Sequence, residues 1–573
     1  MSLLRQLIFI SAVKSILDIF GLILILPIIN ILINPAIVQQ NRILHSAFES
    51  GGFHSVESFV ISLMCLILFL FILKTVFSFL IIRWQSASTC TLLEELSLGR
   101  WLGYMNEEYD FHLNQNSAFL VRNVASIPFD FLMKILMPFI QIISEIFIVL
   151  IVFVCITWYD PLQFIAILAI MMPFAFFYFR FMKVRLKKFS DERDIHAKDL
   201  YINTLQSMTG VREITLFKKF NFFKKKFADS IKGISDTLRV LNTVNEFASK
   251  MIEFIAFMGI FMIFLVSYLL HHNTTQLLEF LVVFALSMTR LLPSFNRIIL
   301  HLNNMKSSEY VFEHMQNIPS EISFKNPVLW MKEKTEPLLF HKSLSFRNLS
   351  FTYPATDRLI LDNINLEIPV GTTTGIVGPS GSGKTTLLNI LLRLYDEKEG
   401  GIYVDEEKIS RENQSAWFDL ISFVPQNIFI LDASFADNIA FGSETENQNR
   451  ELLEQVIDQA GLRELINQSP QGIHTNIGES GLKISGGQRQ RIGIARALYS
   501  QARILIFDEA TSALDAATEE MITESIRSLA HLNLTIIIVA HRIQTLKYCD
   551  SIYRITNGKL SAAMSYETVL NEK

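Results

Sequence analysis

The feature that most constrains this chain is where its apolar residues lie. Six apolar runs, about 7–33, 59–83, 135–158, 161–181, 251–270 and 277–300, crowd into the first part of a 573-residue sequence. Each is long enough to cross a hydrocarbon layer, which needs about 20 residues in a helix. Inside such a layer every backbone N–H and C=O must be satisfied within the segment, and runs of this length do that as helices. The sixth run is interrupted by Arg290 and Pro293. The first is too long, and lacks the small-residue cleavage site, to be a removable signal peptide. Half of all residues are apolar, and the net charge of −4 argues against a general nucleic-acid partner. Cys65, Cys90, Cys155 and Cys549 are scattered, with no spacing that makes a metal site or a disulfide framework.

The connections between runs are unequal. Those at 84–134 and 182–250 are long, whereas Tyr159-Asp160 and His271 to Gln276 are tight. The second long loop is dense in cations, including Lys183, Arg185, Lys187, Lys188 and Lys224-Lys225-Lys226. The positive-inside tendency therefore places both long loops and both termini in the cytoplasm. Leu200, Ile202, Leu205, Met208, Val211 and Ile214 recur at spacings that fit a helix better than a strand. The membrane helices are thus expected to continue into the cytoplasm and turn at loop tips, one near Gly210 to Ile214. The segment 36–58 mixes Ile37, Val38, Ile43, Leu44, Ala47 and Phe48 with Gln39, Gln40, Asn41, Arg42 and His45. It reads either as a short amphipathic helix on the outer face or as a loop packed on the spans.

A break near 318–345 separates this half from a second one. Ile318-Pro319-Ser320 and Asn326-Pro327 end the apolar pattern, and alternating strands and helices begin at Leu344. The expected divisions are a membrane domain over 1–318, a linker over 319–341 and a nucleotide-binding domain over 342–573. Gly378-Pro379-Ser380-Gly381-Ser382-Gly383-Lys384-Thr385 fits the P-loop pattern, entered by the strand-like Thr374 to Val377 and followed by a helix from Thr386. The glycines let backbone N–H groups face phosphate oxygens, Lys384 reaches the β- and γ-phosphates, and the Thr385 hydroxyl can ligate Mg²⁺. Ile504 to Phe507 is an apolar strand that ends in Asp508-Glu509. Asp508 is placed to hold Mg²⁺ and Glu509 to polarise the attacking water. Ser485-Gly486-Gly487-Gln488 precedes a helix and makes a second phosphate-binding N-terminus. One P-loop needs no second one in the same chain, so this turn is expected to meet nucleotide held by another copy.

That order of motifs resembles the ATPase of ATP-binding-cassette (ABC) transporters over nearly all of 342–565. The resemblance implies ATP and Mg²⁺ as ligands and a dimer of half-transporters. It implies that Tyr353 stacks on adenine and that Gln426, in Val424-Pro425-Gln426, ligates Mg²⁺ and senses the membrane domain. It makes Ser485 to Gln488 the signature, Ser512-Ala513-Leu514-Asp515 the D-loop and His541 the switch histidine. Asn476-Ile477-Gly478-Glu479 resembles the exporter X-loop, with Ser480 where a basic residue is common. No catalytic position is degenerate, which favours a homodimer. The implied architecture is a six-helix membrane domain of the exporter-like (type IV) fold, followed by an α/β P-loop ATPase.

The cargo must be read from the membrane half. Charges inside spans are costly and usually face a cavity or a partner. Arg290 and Arg297 share one helix face, roughly 20 and 30 Å from the outer end at ~1.5 Å per residue. Lys74 lies at a similar depth in the second span. Together they suit an anion such as a phosphate or pyrophosphate. Glu145, Glu253 and Glu279 read as partners of buried cations. Arg290 to Ile298, Ser144 to Phe147 and the outer segment resemble bacterial lipid-linked oligosaccharide flippases. That resemblance implies an undecaprenyl-pyrophosphate-linked glycan as cargo, although Lys74 stands where arginine occurs in the protein compared. The alternatives are a lipid A-type flippase, a drug or peptide exporter and, of another class, an ATP-gated channel or membrane sensor.

Overall fold

The structure is a computed structural model that describes residues 2–23, 31, 37–40, 42–159, 173, 180, 191–269, 274–316, 336–354, 356–478, 484–509, 520, 523–524, 526–527, 529 and 533–571. The chain divides into two compact units, Met1–Asn326 and Pro327–Lys573. The fourth expected span, Glu479, Ser480 and the residues Ser512 to Asp515 lie outside the described residues, apart from helical positions 173 and 180.

The first unit is built from long helices. Ser2–Ile23 covers the described part of the first apolar run, and Val56–Met105 covers the second. Ile127–Phe131, a π turn at Leu132–Leu136 and Met137–Tyr159 form one continuous rod over the third. Phe220–Leu269 contains the fifth, and Thr274–Lys306 contains the sixth. Among the described residues, Val56–Met105 and Ile127–Val154 are long and apolar enough to cross a membrane. Val56–Met105 and Phe220–Leu269 each have 50 residues. At 1.5 Å per residue that is about 75 Å, well over the roughly 30 Å of a hydrocarbon core. These helices continue far beyond their apolar stretch, as the periodicity of the long loops implies. Pro293 does not break the sixth helix, which runs through it to Lys306.

The helices pack as consecutive and crossing pairs. Thr274–Lys306 lies on Met137–Tyr159 and Phe220–Leu269, and Ser2–Ile23 lies on Met137–Tyr159 and Val56–Met105. Leu291, fully buried, sits among Ile148, Val149, Val152 and Met288. Ile61, Leu66, Leu68, Phe69 and Ile72 on the second helix are exposed within one chain. Short helices Tyr109–Asn114, Ser117–Ala125 and Val211–Leu216 form the tips, the last entered from Gly210. The segment after the first run forms Ile37–Gln40 and Arg42–Ser50. Its apolar side is covered by protein: Val38, Leu44, Phe48 and Phe53 pack on Ile31, Phe59 and Val60. Phe48 and Phe53 meet Phe59 edge-on with ring centroids 5.5 and 5.3 Å apart.

The second unit has two sheets. One is antiparallel, ordered β2 (Leu359–Pro369), β1 (Ser343–Thr352), β4 (Glu399–Val404), β5 (Glu407–Lys408). The other is ordered β10 (Lys559–Leu560), β9 (Ser551–Thr556), β3 (Thr373–Val377), β8 (Thr535–Ala540), β7 (Ile504–Asp508), β6 (Ile421–Val424), and from β9 to β6 its strands are parallel. Ile504, Leu505, Ile506 and Phe507 are all fully buried. Such an unbroken apolar run belongs to a parallel strand covered on both faces, and each side chain adds about 1.5–3 kcal/mol. Trp417, fully buried, caps one core and donates its indole N–H to the Leu391 carbonyl at 3.0 Å.

Candidate functional site

Four neighbouring parallel strands, β3, β8, β7 and β6, carry the site at their C-terminal ends. Ligands of open α/β sheets bind in that position. After β3 the chain enters Gly378 to Gly383 and then the helix Lys384–Leu391. Gly381 and Gly383 hold φ of +74° and +111°, a region that glycine alone occupies without strain. Lys384 is buried, and its ammonium donates to the carbonyls of Gly378 at 2.8 Å and Pro379 at 3.0 Å. Burial pulls its pKa down, against the opposing pull of Glu509 and Asp508. The Ser382 hydroxyl is buried in this cradle with no hydrogen-bond partner among the described residues. That orphaned donor is what an anion would satisfy.

β7 ends at Asp508, and Glu509 follows with φ of +46°. The Glu509 N–H still donates to the Val539 carbonyl of β8 at 2.8 Å, so the sheet fixes the strained residue. Its carboxylate is held from two sides. Gln426, two residues beyond β6, donates to Oε2 at 3.0 Å. His541, immediately after β8, lies with Nε2 2.9 Å from Oε1. Glu509, Gln426 and His541 thus come together, as their places in the motif order imply. Burial, and then the neighbouring charge of Glu509, push the Asp508 carboxyl up to about 6, with Lys384 and His541 pulling the other way.

Tyr353 lies beyond the end of β1. Its hydroxyl is 3.0 Å from the Thr386 hydroxyl, and its ring meets Tyr395 edge-on at 5.3 Å and Phe351 at 5.0 Å. Ser485 caps the helix Gly486–Tyr499 in a reciprocal box: Gln488 N–H donates to the Ser485 hydroxyl at 3.2 Å, and Ser485 N–H donates to Gln488 Oε1 at 2.8 Å. Among the described residues no hydrogen bond joins Ser485 to Gln488 with Gly378 to Thr386. Sequence reasoning missed Gln490, a buried residue on the same helix that donates to the Gln426 carbonyl at 2.8 Å. It also missed Tyr395, the ring behind Tyr353.

Thr385, Gln426 and Asp508 supply a hydroxyl, an amide oxygen and a carboxylate near the cradle, hard oxygen donors that fit Mg²⁺. Among the described residues no group of three or more His, Cys, Asp or Glu side chains could hold a metal ion by itself.

In the first unit the expected cations are distributed differently. Arg297 forms a two-point ion pair with Glu145, Nε to Oε1 at 2.5 Å and Nη2 to Oε2 at 3.1 Å. Glu145 thus partners a cation of the sixth helix, as expected of it. Arg290, half-buried, lies on the same helix. Lys74 sits 5.4 Å from the Phe71 ring centroid, on a helix whose packing partners differ from those of Thr274–Lys306. Glu253 pairs at 3.0 Å with Lys250, and both are exposed, so it serves no buried cation. The Glu279 side chain lies outside the described residues.

Two family models match the chain: the ABC transporter transmembrane region over residues 20–292 and the ABC transporter model over 361–512. An ATP-dependent lipid A-core flippase of Pectobacterium atrosepticum is 41% identical over 217 residues, 38% of this chain and 37% of that protein. The flippase of the same description from Escherichia coli K12 is 39% identical over 230 residues, covering 40% and 39%. The mouse mitochondrial ATP-binding cassette sub-family B member 10 is 38% identical over 247 residues, covering 43% and 34%. The chain spans less than two fifths of the length of these relatives. A solved structure of a bacterial Atm1-family ABC exporter with ATP bound shares the fold, with a TM-score of 0.76 over 99% of this chain and 96% of that one at 20% identity. Matched in order by a transmembrane-region model and an ATPase model, and sharing the exporter fold, the chain belongs to the ABC transporter family as an exporter-type half-transporter.

Proposed function

We propose that this chain is an ATP-driven translocase of the bacterial inner membrane that works as a homodimer and moves an anionic lipid between leaflets. The observation that carries the reading is the convergence of Gly378 to Thr385, Gln426, Glu509 and His541 at four adjacent strand ends, in a chain whose other unit is an ABC transmembrane region. Thr385, Asp508 and Gln426 would hold Mg²⁺, which would supply charge neutralisation at the phosphates. Glu509 orients and deprotonates water. Its own bonds to Gln426 and His541 hold it ready, and His541 then faces the γ-phosphate. Tyr353, backed by Tyr395 and tethered to Thr386, offers its ring to adenine. Ser485 to Gln488, preformed and not engaged with their own P-loop, complete the site of a second copy. The six spans, the cytoplasmic placement of the ATPase unit and both termini, and the boundaries 1–318, 319–341 and 342–573 belong to the same reading.

The cargo bears phosphate or pyrophosphate on a lipid. A polyprenyl-pyrophosphate-linked oligosaccharide is the first reading, from the motif Arg290 to Ile298. Lipid A-core is the second, because two of the relatives are flippases of that lipid by description. Arg290, nearer the middle of the sixth span than Arg297, is the principal headgroup contact. In proteoliposomes, Arg290→Ala should abolish transfer of a fluorescent polyprenyl-pyrophosphate glycan while basal ATP hydrolysis persists. Normal transfer by this variant overturns the anion site. Wild-type transfer of lipid A but not of the glycan decides for the second cargo.

A further inference from the structure

A buried ionic cluster lies in the first unit and shares no residue with the ATP site or with the proposed headgroup site. Arg122, on the tip helix Ser117–Ala125, is 3% exposed and pairs with Asp194 at 2.5 Å. Asp194 also bonds His314 Nε2, at 3.2 and 3.3 Å to its two oxygens. His314 belongs to Glu309–Gln316, the last described helix before Pro327 begins the ATPase unit. Arg100, at the far end of Val56–Met105 and also 3% exposed, donates to the carbonyls of Asn123 (3.1 Å) and His314. Tyr310 donates to Asp130 at 3.3 Å, Asp130 pairs with Lys134 at 2.7 Å, and the Arg122 guanidinium lies 5.7 Å from the Tyr310 ring centroid. Burial opposes ionisation of Asp194, but its bonds to His314 and Arg122 outweigh that and keep the carboxyl below its usual range.

Three features set this cluster apart from ordinary packing. It joins four segments distant in sequence where apolar side chains would hold a fixed contact with less desolvation. It is incompletely satisfied: Arg122 Nη1, Arg100 Nε and Asn123 Oδ1 are buried without hydrogen-bond partners among the described residues. Buried polar groups without partners are rare in native proteins, and each calls for an explanation beyond static packing. It also adjoins the π turn Leu132–Leu136, a wide turn of the sort found where helices at functional sites are remodelled.

We propose that Arg122, Asp194 and His314 form a clamp that fastens the helix leading into the ATPase unit to the tip helices. They are positioning residues: through them, movement driven at the ATP site turns the membrane helices instead of slackening a tether. This rests on the translocase reading. The test uses the full chain in nanodiscs, spin-labelled at the exposed Cys65 with Cys90, Cys155 and Cys549 replaced by Ser. Distances between the Cys65 labels of two copies are measured before and after trapping with ATP and vanadate, alongside ATP hydrolysis and thermal melting. The wild type is expected to shift its distance distribution on trapping. Asp194→Asn leaves the Arg122 charge buried and unpaired, so it is expected to lower the melting temperature, but below that temperature to keep at least half the hydrolysis rate while losing more than half of the shift. Asp194→Glu should restore the shift, and His314→Phe should reproduce the loss. A full shift in Asp194→Asn overturns the clamp. So does early melting with joint loss of hydrolysis and shift, which would make the cluster a stabilising element only. A wild type that hydrolyses ATP without any shift overturns the translocase reading and the clamp with it.

Discussion

Glu509→Gln tests the site most directly, because the substitution changes charge and basicity but hardly changes shape. The amide keeps one oxygen for the Gln426 donor and turns an NH₂ toward His541, so the local loss is about one hydrogen bond, roughly 0.5–1.5 kcal/mol. The ATPase unit should therefore stay folded. Loss of a positioned general base costs about 10²–10⁴ in rate, or about 2.7–5.4 kcal/mol at 1.36 kcal/mol per tenfold. Binding should move the other way. The Glu509 charge helps to raise the Asp508 pKa, so its removal lets Asp508 ionise more readily beside Mg²⁺. Steady-state phosphate release in liposomes and nucleotide retention on the same preparation measure both effects. The expected pair is hydrolysis down at least 100-fold and ATP affinity equal to or above that of the wild type. Turnover above a tenth of wild type, or ATP binding weakened more than tenfold, refutes the assignment of Glu509.

Two further perturbations probe charges in the second and the first unit. The Asp508 carboxyl has its pKa raised to about 6, so the folded chain favours its proton below that pH and offers Mg²⁺ a carboxylate only above it. Mg²⁺-dependent nucleotide binding, followed by calorimetry, should weaken about fourfold at pH 5.5 relative to pH 7.5; Asp508→Asn should bind weakly and without that dependence. In the first unit, Arg297→Ala leaves Glu145 buried and unpaired. As Arg297 is itself partly exposed, the loss should be near the low end of the range for a broken buried pair, about 3 kcal/mol, read as a drop in melting temperature. Glu145→Gln with Arg297→Gln should recover most of it, and a double variant as unstable as the sum of the singles refutes the pairing.

What the sequence disclosed depended on how local the physics was. Gly381 and Gly383 announce a phosphate cradle because only glycine takes their backbone angles, and the buried run Ile504 to Phe507 announces a central parallel strand because nothing polar interrupts it. Asp508, Glu509, Gln426 and His541 were legible as members of an ordered set, although their mutual bonds were not. Side-chain pairs between distant segments leave no periodic trace. Arg297 and Glu145 are 152 positions apart, Arg122 and Asp194 are 72 apart, and Asp194 and His314 are 120 apart. Gln490 could have been noticed only as a polar residue on the buried side of the signature helix. The outer segment was undecidable from its amphipathic spacing. That spacing is the same whether lipid or Phe59 covers the apolar side, and here Phe59 covers it.

The capped start of the Gly486–Tyr499 helix has a consequence for selectivity. The Ser485 oxygen accepts from Gln488 N–H, and the Gln488 side chain closes the return bond, so both acceptors at this turn are consumed internally. The serine hydroxyl keeps its proton, and the N–H groups of Gly486 and Gly487 keep theirs, whereas those of Ser485 and Gln488 are spent in the box. The surface left facing outward is rich in donors and poor in acceptors. It can welcome a terminal phosphate and has little to offer a cation. Because the box forms from the helix's own residues, that preference is fixed when the unit folds. On the proposed homodimer reading, a neighbouring nucleotide finds a rigid rim of protons already in place, and little order remains to be imposed at the moment two copies close.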